Sequence, residues 1–168
     1  MKLFKYLLLL TIIFNFGCSQ DNGCIKRITV PDNIIKTSSG YTFEPSYFID
    51  VHCDFDEETD LEIAEVLKNF SYKIINFKFT SDTGNNTSKL EFEVELKNNN
   101  NFTVEGAPIF TMKSDAIEFS TNYTGNNGSC NTIDANGTCT FTYIKETRLD
   151  LGIINSFELV TIKYLLAK

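Results

Sequence analysis

The chain has 168 residues, and 42% of them are hydrophobic, including fifteen Phe and seven Tyr. This length fits one domain with a small extension, and the composition supports a packed core rather than a disordered tail. The formal net charge of −7 repels phosphate backbones, so nucleic acid is not an expected partner.

Residues 1–17 are predicted to form a signal peptide. Lys2 and Lys5 precede an apolar run over 6–14, which is shorter than the roughly 20 residues of a membrane-spanning helix. Small Gly17 then stands directly before Cys18, an arrangement that resembles a bacterial lipobox. The resemblance implies cleavage before Cys18 and lipidation of Cys18. An ordinary secretory signal with an incidental cysteine is the alternative.

A lipid on Cys18 implies a protein held in the cell envelope, at the outer membrane, with its periplasmic or surface face left open. Cleavage removes Lys2 and Lys5, which changes the formal net charge from −7 to −9. Residues 18–24 would then be a short tether. The expected partners are the membrane, through the anchor, and another envelope protein.

Four further cysteines remain, an even number that predicts two disulfides in an exported chain. Three connectivities are possible. The favoured pairs are Cys24 with Cys53 and Cys130 with Cys139, because the second pair encloses a short polar loop. A metal site is the alternative, but the chain has no C-x-x-C spacing and His52 is its only histidine.

Residues 25–53 predict an N-terminal β-hairpin segment. The first strand-like run ends at Pro31, and a turn covers 37–40. The run over 47–53 alternates between two faces, which is typical of a strand. His52 and Asp50 share one of these faces, where they could act as a general base and its partner, but a surface histidine is the leading interpretation.

Residues 54–69 read as an acidic linker that includes a possible short helix over 63–68. Aligned with the twelve-position calcium loop, the segment places acids at positions 1, 3, 5, 7, 9 and 12, and calcium takes six to eight oxygen ligands. Thr59 stands where that loop needs glycine. A solvated linker is the leading interpretation, and calcium is the possible cofactor. Its ligands would be Asp54, Asp56, Glu58, Asp60 and Glu65.

Residues 70–168 predict an all-β, antiparallel β-sandwich of about seven strands. Strict alternation over 90–97 indicates a strand with one buried face. The run over 71–80 would place Ile75, Phe77 and Phe79 on one side. Gly106 and Pro108 are expected to interrupt a strand, which makes a bulge or an edge there. Turn signals every 8 to 12 residues favour a sandwich.

The segment 133–143, an apolar residue followed by a Gly turn and an alternating strand, resembles the late strands of bacterial immunoglobulin-like domains. The run over 90–101 is similar to an earlier strand of that family. The likeness covers 70–168 and implies an immunoglobulin-like β-sandwich. The N-terminus also resembles small lipoproteins of Bacteroidota, which share its richness in Asn, Lys and Ile.

No phosphate-binding glycine motif or nucleophile elbow occurs in the sequence. Four tyrosines in alternating strands are expected to pack in the core rather than to stack on sugars: Tyr72, Tyr123, Tyr143 and Tyr164. The sequence therefore predicts a non-catalytic, lipid-anchored interaction or accessory module. A partner could add a strand near Gly106 and Pro108. A calcium- or glycan-binding module is the alternative.

Overall fold

The computed structural model describes residues 23–38, 40–61 and 63–167, and this part of the chain is all-β. The predicted signal peptide over 1–17 and the lipidation site Cys18 lie outside the described residues. Within them, no helix is long and apolar enough to cross a membrane. The strands are β1 (Ile25–Val30), β2 (Asn33–Thr37), β3 (Gly40–Glu44), β4 (Tyr47–His52), β5 (Phe70–Thr80), β6 (Thr87–Asn98), β7 (Val104–Ser114), β8 (Ile117–Thr121), β9 (Thr132–Ile133), β10 (Thr138–Arg148) and β11 (Phe157–Leu166). A helical turn, α1, covers Glu57–Asp60, and a 3₁₀ turn covers Leu149–Leu151.

Two antiparallel sheets form the body of the protein. The first has the order β10-β6-β5. In the second, β7 pairs with β11 on one side and with β8 and β9 on the other. The prediction of an all-β, antiparallel, sandwich-like fold is therefore confirmed.

The main core lies between these sheets. Phe92, Val94 and Leu96 alternate along β6 and are at most 1% exposed, while the acidic residues between them keep partial contact with water. The ring of Phe92 lies 5.4 Å from that of Phe110 on β7, centroid to centroid. Aromatic packing of this kind adds to the hydrophobic stabilisation that joins the sheets.

Strand β7 runs without a break through Gly106 and Pro108, so the expected interruption is wrong. The Gly106 N–H donates to the Asn131 carbonyl, 2.9 Å away, on the side of β7 between β8 and β9. Pro108 lies two residues further along the strand, so its backbone nitrogen points to the same side of β7 as that of Gly106. Its missing N–H therefore removes no bond from the β7–β11 ladder, which explains why proline is tolerated here.

The irregularities of the sheets lie elsewhere. In β5 the register with β6 shifts between Ile74 and Asn76, which makes Ile75 the extra residue of a bulge. Ile75 is 50% exposed, whereas Phe77 and Phe79 are half-buried. The prediction that Ile75 shares their face is wrong, because one inserted residue reverses the alternation.

The N-terminal segment contains two antiparallel pairs, with β2–β3 enclosed between β1 and β4. The β2–β3 pair covers the outer face of β7 and β11, where Ile34 packs with Ala107, Ile109 and Leu165. The Lys163 ammonium lies 2.5 Å from a carboxylate oxygen of Asp32. The segment is therefore packed against the second sheet.

Residues 63–67 lie along β11 and form no helix. The prediction of a short helix over 63–68 is therefore wrong. Val66 makes an antiparallel bridge to Leu165, and the Leu67 N–H donates to the Tyr164 carbonyl at 2.8 Å. Ala64 and Leu67 are buried. An unpaired strand edge and two buried apolar side chains outweigh the weak helical preference of so short a segment.

Candidate binding site

Both predicted disulfides are present. Cys24 is bonded to Cys53, where the Cys53 N–H also donates to the Cys24 carbonyl at 3.0 Å and extends the β1–β4 pair. Cys130 is bonded to Cys139 at the start of β10. Each bond fixes the end of a strand, so these cysteines have a structural role and are not metal ligands.

The acidic segment does not provide a metal site within the described residues, where no group of three or more His, Cys, Asp or Glu could hold an ion. The side chains of Glu58 and Asp60 are not among those that the structure describes. The Asp54 carboxylate lies 2.5 Å from Nδ1 of His52, a hydrogen bond that lowers the pKa of Asp54. Calcium binding stays a prediction.

Asp50 and His52 are not partners of each other in the structure. The Asp50 carboxylate accepts hydrogen bonds from Arg27 at 2.8 and 3.1 Å, and these bonds lower its pKa. His52 contacts Asp54 instead. Both side chains are exposed, so the arrangement is a pair of surface contacts rather than a general base held in a pocket.

The sandwich is open at the end where β6 begins and β10 finishes. The inward row of β10 continues there from Phe141 and Tyr143 to Lys145, which pairs in register with Leu90. On the opposite sheet, Phe157 and Ile117 both pair with Ser114 at the end of β7. The chain then crosses from one sheet to the other over this end. We call residues 149–156 the crossing loop.

A cleft of about 170 Å³ lies between the sheets beneath the crossing loop. Both sheets and the loop contribute to its walls, which are mainly aromatic and aliphatic. A larger groove of about 400 Å³ borders β1 and residues 63–66, but its two charged residues, Asp32 and Lys163, already pair with each other. The cleft is lined by Phe79, Ser88, Leu90, Tyr123, Tyr143, Lys145, Thr147, Gly152, Ile154 and Phe157.

Aromatic contacts hold the walls of the cleft in place. The Phe157 ring lies 5.6 Å from Phe79 on the first sheet and 6.0 Å from Phe119 on β8, measured between centroids. The rings of Tyr123 and Tyr143 are 4.4 Å apart. These contacts join β11 to β5 and β8, and join β10 to the segment that follows β8, so the two sheets are linked across the cleft.

The two tyrosine hydroxyls of the cleft can donate hydrogen bonds at neutral pH. Burial raises the pKa of Tyr123, with a smaller contribution from Tyr143, and burial also raises the pKa of Tyr143. Both phenols therefore stay protonated. Among the described residues, no carboxylate lies within ion-pair distance of the Lys145 ammonium. Two phenols and one cation thus favour a ligand that supplies acceptor oxygens.

Apolar side chains are exposed around the same end. Leu151 and Ile153 on the crossing loop are 79% and 71% exposed, and Ile117 on β8 is 70% exposed. Exposed hydrophobic side chains are common singly, but a group beside a cleft is typical of an interaction site. We call Ile117, Leu151 and Ile153 the apolar rim.

The sequence identified the inward row of β10 up to Tyr143 but not the cleft. Lys145 is the next residue of that row, and a charged residue in an inward row could have indicated that the sandwich opens there. The positions of Phe79, Phe119 and Phe157 depend on how the two sheets stack. No sequence pattern provides that information.

The chain can also be compared with known proteins. No known protein-family model matches it, and neither a curated protein nor a solved structure matches it significantly.

Proposed function

We propose that this chain is a non-catalytic, lipid-anchored protein of the cell envelope that binds another envelope protein through the open end of its sandwich. The apolar rim carries this proposal, because its three strongly exposed apolar side chains lie at the same end of the sandwich as the cleft. Burial of such side chains against a partner releases free energy roughly in proportion to the apolar area removed from water.

The lipid anchor in this proposal rests on the sequence around Cys18. The six residue-to-residue steps from Cys18 to Cys24 reach at most about 22 Å when extended. An acylated Cys18 would therefore keep the domain close to the membrane surface, where envelope proteins are its neighbours. We place the anchor in the outer membrane.

A relationship to the small lipoproteins of Bacteroidota is part of the same proposal. An immunoglobulin-like strand order is not part of the proposal, because the strands of this sandwich pair differently. In constant-type immunoglobulin domains the second strand pairs with the fifth and the third with the sixth. Here β6, second of the seven sandwich strands, pairs with β10, the sixth, and β7 pairs with β11, the seventh. We therefore propose a sandwich with its own strand order.

The anchor is tested by Cys18→Ala in cells that produce the full chain. Membrane fractionation should show the variant in the soluble fraction or as an uncleaved precursor. Mass spectrometry of the wild-type amino-terminal peptide should show acyl chains on Cys18. A wild-type peptide that begins elsewhere, or that carries no lipid, contradicts the anchor.

The interaction is tested by cross-linking in intact cells with a triple serine variant of the apolar rim. We expect a partner that is cross-linked to the wild type to be lost from this variant. A matched control replaces exposed apolar residues elsewhere, Ile25, Ile35 and Phe102, by serine. Equal recovery of the partner with the rim variant and with the control would contradict the proposal.

A further inference from the structure

We infer that the cleft receives one aromatic side chain of the partner protein, with a carboxylate of the same segment placed on Lys145. This inference rests on the proposed function and specifies the partner's chemistry at the same site. The segment needs two features, a single six-membered ring and an acidic residue beside it.

The size of the cleft selects the ring. Its volume of about 170 Å³ is below the roughly 300–1,000 Å³ of pockets that hold drug-sized molecules. A dry cavity of about 150 Å³ lined by apolar side chains accepts benzene. One phenyl group therefore fits, and Phe79, Leu90 and Phe157 provide an apolar lining for it.

The charge of the cleft selects the carboxylate. The protein is acidic overall, with a formal net charge of −7, yet of the residues that the structure describes Lys145 is the one charged residue that lines the cleft. The phenols of Tyr123 and Tyr143 add donors. An acidic group can pair with Lys145 here, whereas a basic group would meet a like charge.

The cleft is preformed because the crossing loop is attached at both ends. The Leu149 N–H donates to the Asn86 carbonyl at 3.0 Å. At the other end, the Asp115 carboxylate accepts hydrogen bonds from the backbone N–H groups of Asn155 and Ser156, at 3.1 and 2.9 Å. A loop that is already ordered loses little conformational entropy when a ligand binds beneath it.

The test uses ¹⁵N-labelled protein of residues 18–168, without the predicted signal peptide. Three capped tetrapeptides are compared: acetyl-Gly-Phe-Asp-Gly-amide, its Asn analogue acetyl-Gly-Phe-Asn-Gly-amide, and its Ala-Asp analogue acetyl-Gly-Ala-Asp-Gly-amide. Peptides are titrated to about 10 mM, because so small a contact gives a dissociation constant of roughly 1 mM. We expect the Phe-Asp peptide to shift the amide signals of Leu90, Tyr143, Lys145 and Phe157. The Asn analogue should bind roughly two- to fivefold more weakly, as for an exposed ion pair. The Ala-Asp analogue should cause no shift.

Variants assign the two contacts. Lys145→Gln should abolish the difference between the Asp and Asn peptides, whereas the matched control Lys113→Gln, on an exposed β7 residue outside the cleft, should preserve it. Thr147→Phe places a ring at the cleft wall and should block both peptides while the amide spectrum stays that of a folded protein. Shifts elsewhere, no shifts, or equal binding of the Asp and Asn peptides would overturn the inference.

A fourth titration, with 3-phenylpropionate, separates a protein segment from a free aromatic acid. Tighter binding of this acid than of the Phe-Asp peptide would overturn the choice of a protein segment. The proposed function fails separately, if the rim variant keeps its cross-linked partner. Peptide binding that depends on Lys145 could still be measured in that case.

Discussion

Gly106 and Leu165 lie so close together that a β-carbon on Gly106 would be 1.9 Å from the Leu165 carbonyl oxygen. It would also be 2.9 Å from a ring carbon of Tyr164. These distances are far below van der Waals contact, and the obstacle is backbone that cannot rotate away. Glycine is therefore required where β7 meets the end of β11.

Gly106→Ala should destabilise the protein by about 3 kcal/mol, because β7 and β11 must separate to accommodate the methyl group. Urea unfolding followed by circular dichroism measures the change in the free energy of unfolding. Gly23→Ala is the control, since a β-carbon there meets only the His52 ring at 3.8 Å. A change below about 1 kcal/mol in Gly106→Ala would contradict the close packing.

Asn98→Asp should destabilise the protein by about 4 kcal/mol at neutral pH. Asn98 is fully buried, and its Nδ2 donates to the carbonyls of Phe102, Ile133 and Asp134 at 2.8, 3.3 and 3.1 Å. A carboxylate of the same shape would face these oxygens without a proton to donate.

Because the protonated acid can donate once, the penalty in Asn98→Asp should decrease as the pH falls. Urea titrations at about pH 4.5 and pH 8 test this change. Asn127→Asp is the control, since the amide of Asn127 bonds to Thr140 and Thr142 on the protein surface. An equal cost in the two variants would contradict the role of burial.

Removal of the disulfides should cost different amounts because the loops differ in length. The sequence separations are 29 residues for Cys24–Cys53 and 9 residues for Cys130–Cys139. Loop-closure entropy gives about 3.6 and 2.7 kcal/mol, as upper values. Paired alanine variants compared by urea unfolding provide the measurement, and a larger loss for Cys130→Ala/Cys139→Ala would contradict this order.

Tyr164 should make the protein sensitive to alkali. Burial raises its pKa, with smaller contributions from Tyr41 and Glu105, and its hydroxyl donates to the Cys130 carbonyl at 3.1 Å. The unfolded chain ionises at about pH 10. The contribution of Tyr164 to the free energy of unfolding should therefore be fully present below this pH. Above it, the free energy of unfolding should fall by up to about 1.4 kcal/mol per pH unit for this group.

Tyr164→Phe tests the alkaline prediction. At pH 7 the variant should lose about 1–2 kcal/mol, because the Cys130 carbonyl loses its donor. Between about pH 10 and pH 11 its stability should fall less steeply than that of the wild type. Parallel slopes for the two proteins would show that another group controls the alkaline transition.

The sequence predicted the elements whose alternation is local. Even positions of 90–97 are apolar, and Phe92, Val94 and Leu96 are buried as this pattern indicates. The sequence missed features that depend on distant partners. The bulge at Ile75 is defined by its register with β6, and the pairing of Val66 by the free edge of β11. The cleft around Lys145 needs both sheets in place.

The disulfide between Cys24 and Cys53 also determines how the molecule would respond to mechanical load. A pull on the chain before Cys24 arrives at the end of β1 where Ile25 pairs with His52. Without a covalent link there, the hydrogen bonds between β1 and β4 would be loaded one at a time and would break in sequence from this end. The covalent bond lies at that end, so the load passes through Cys53 to the chain beyond the β1–β4 pair. A force applied through an anchor at Cys18 would therefore act on the packed body of the protein and would not separate β1 from β4.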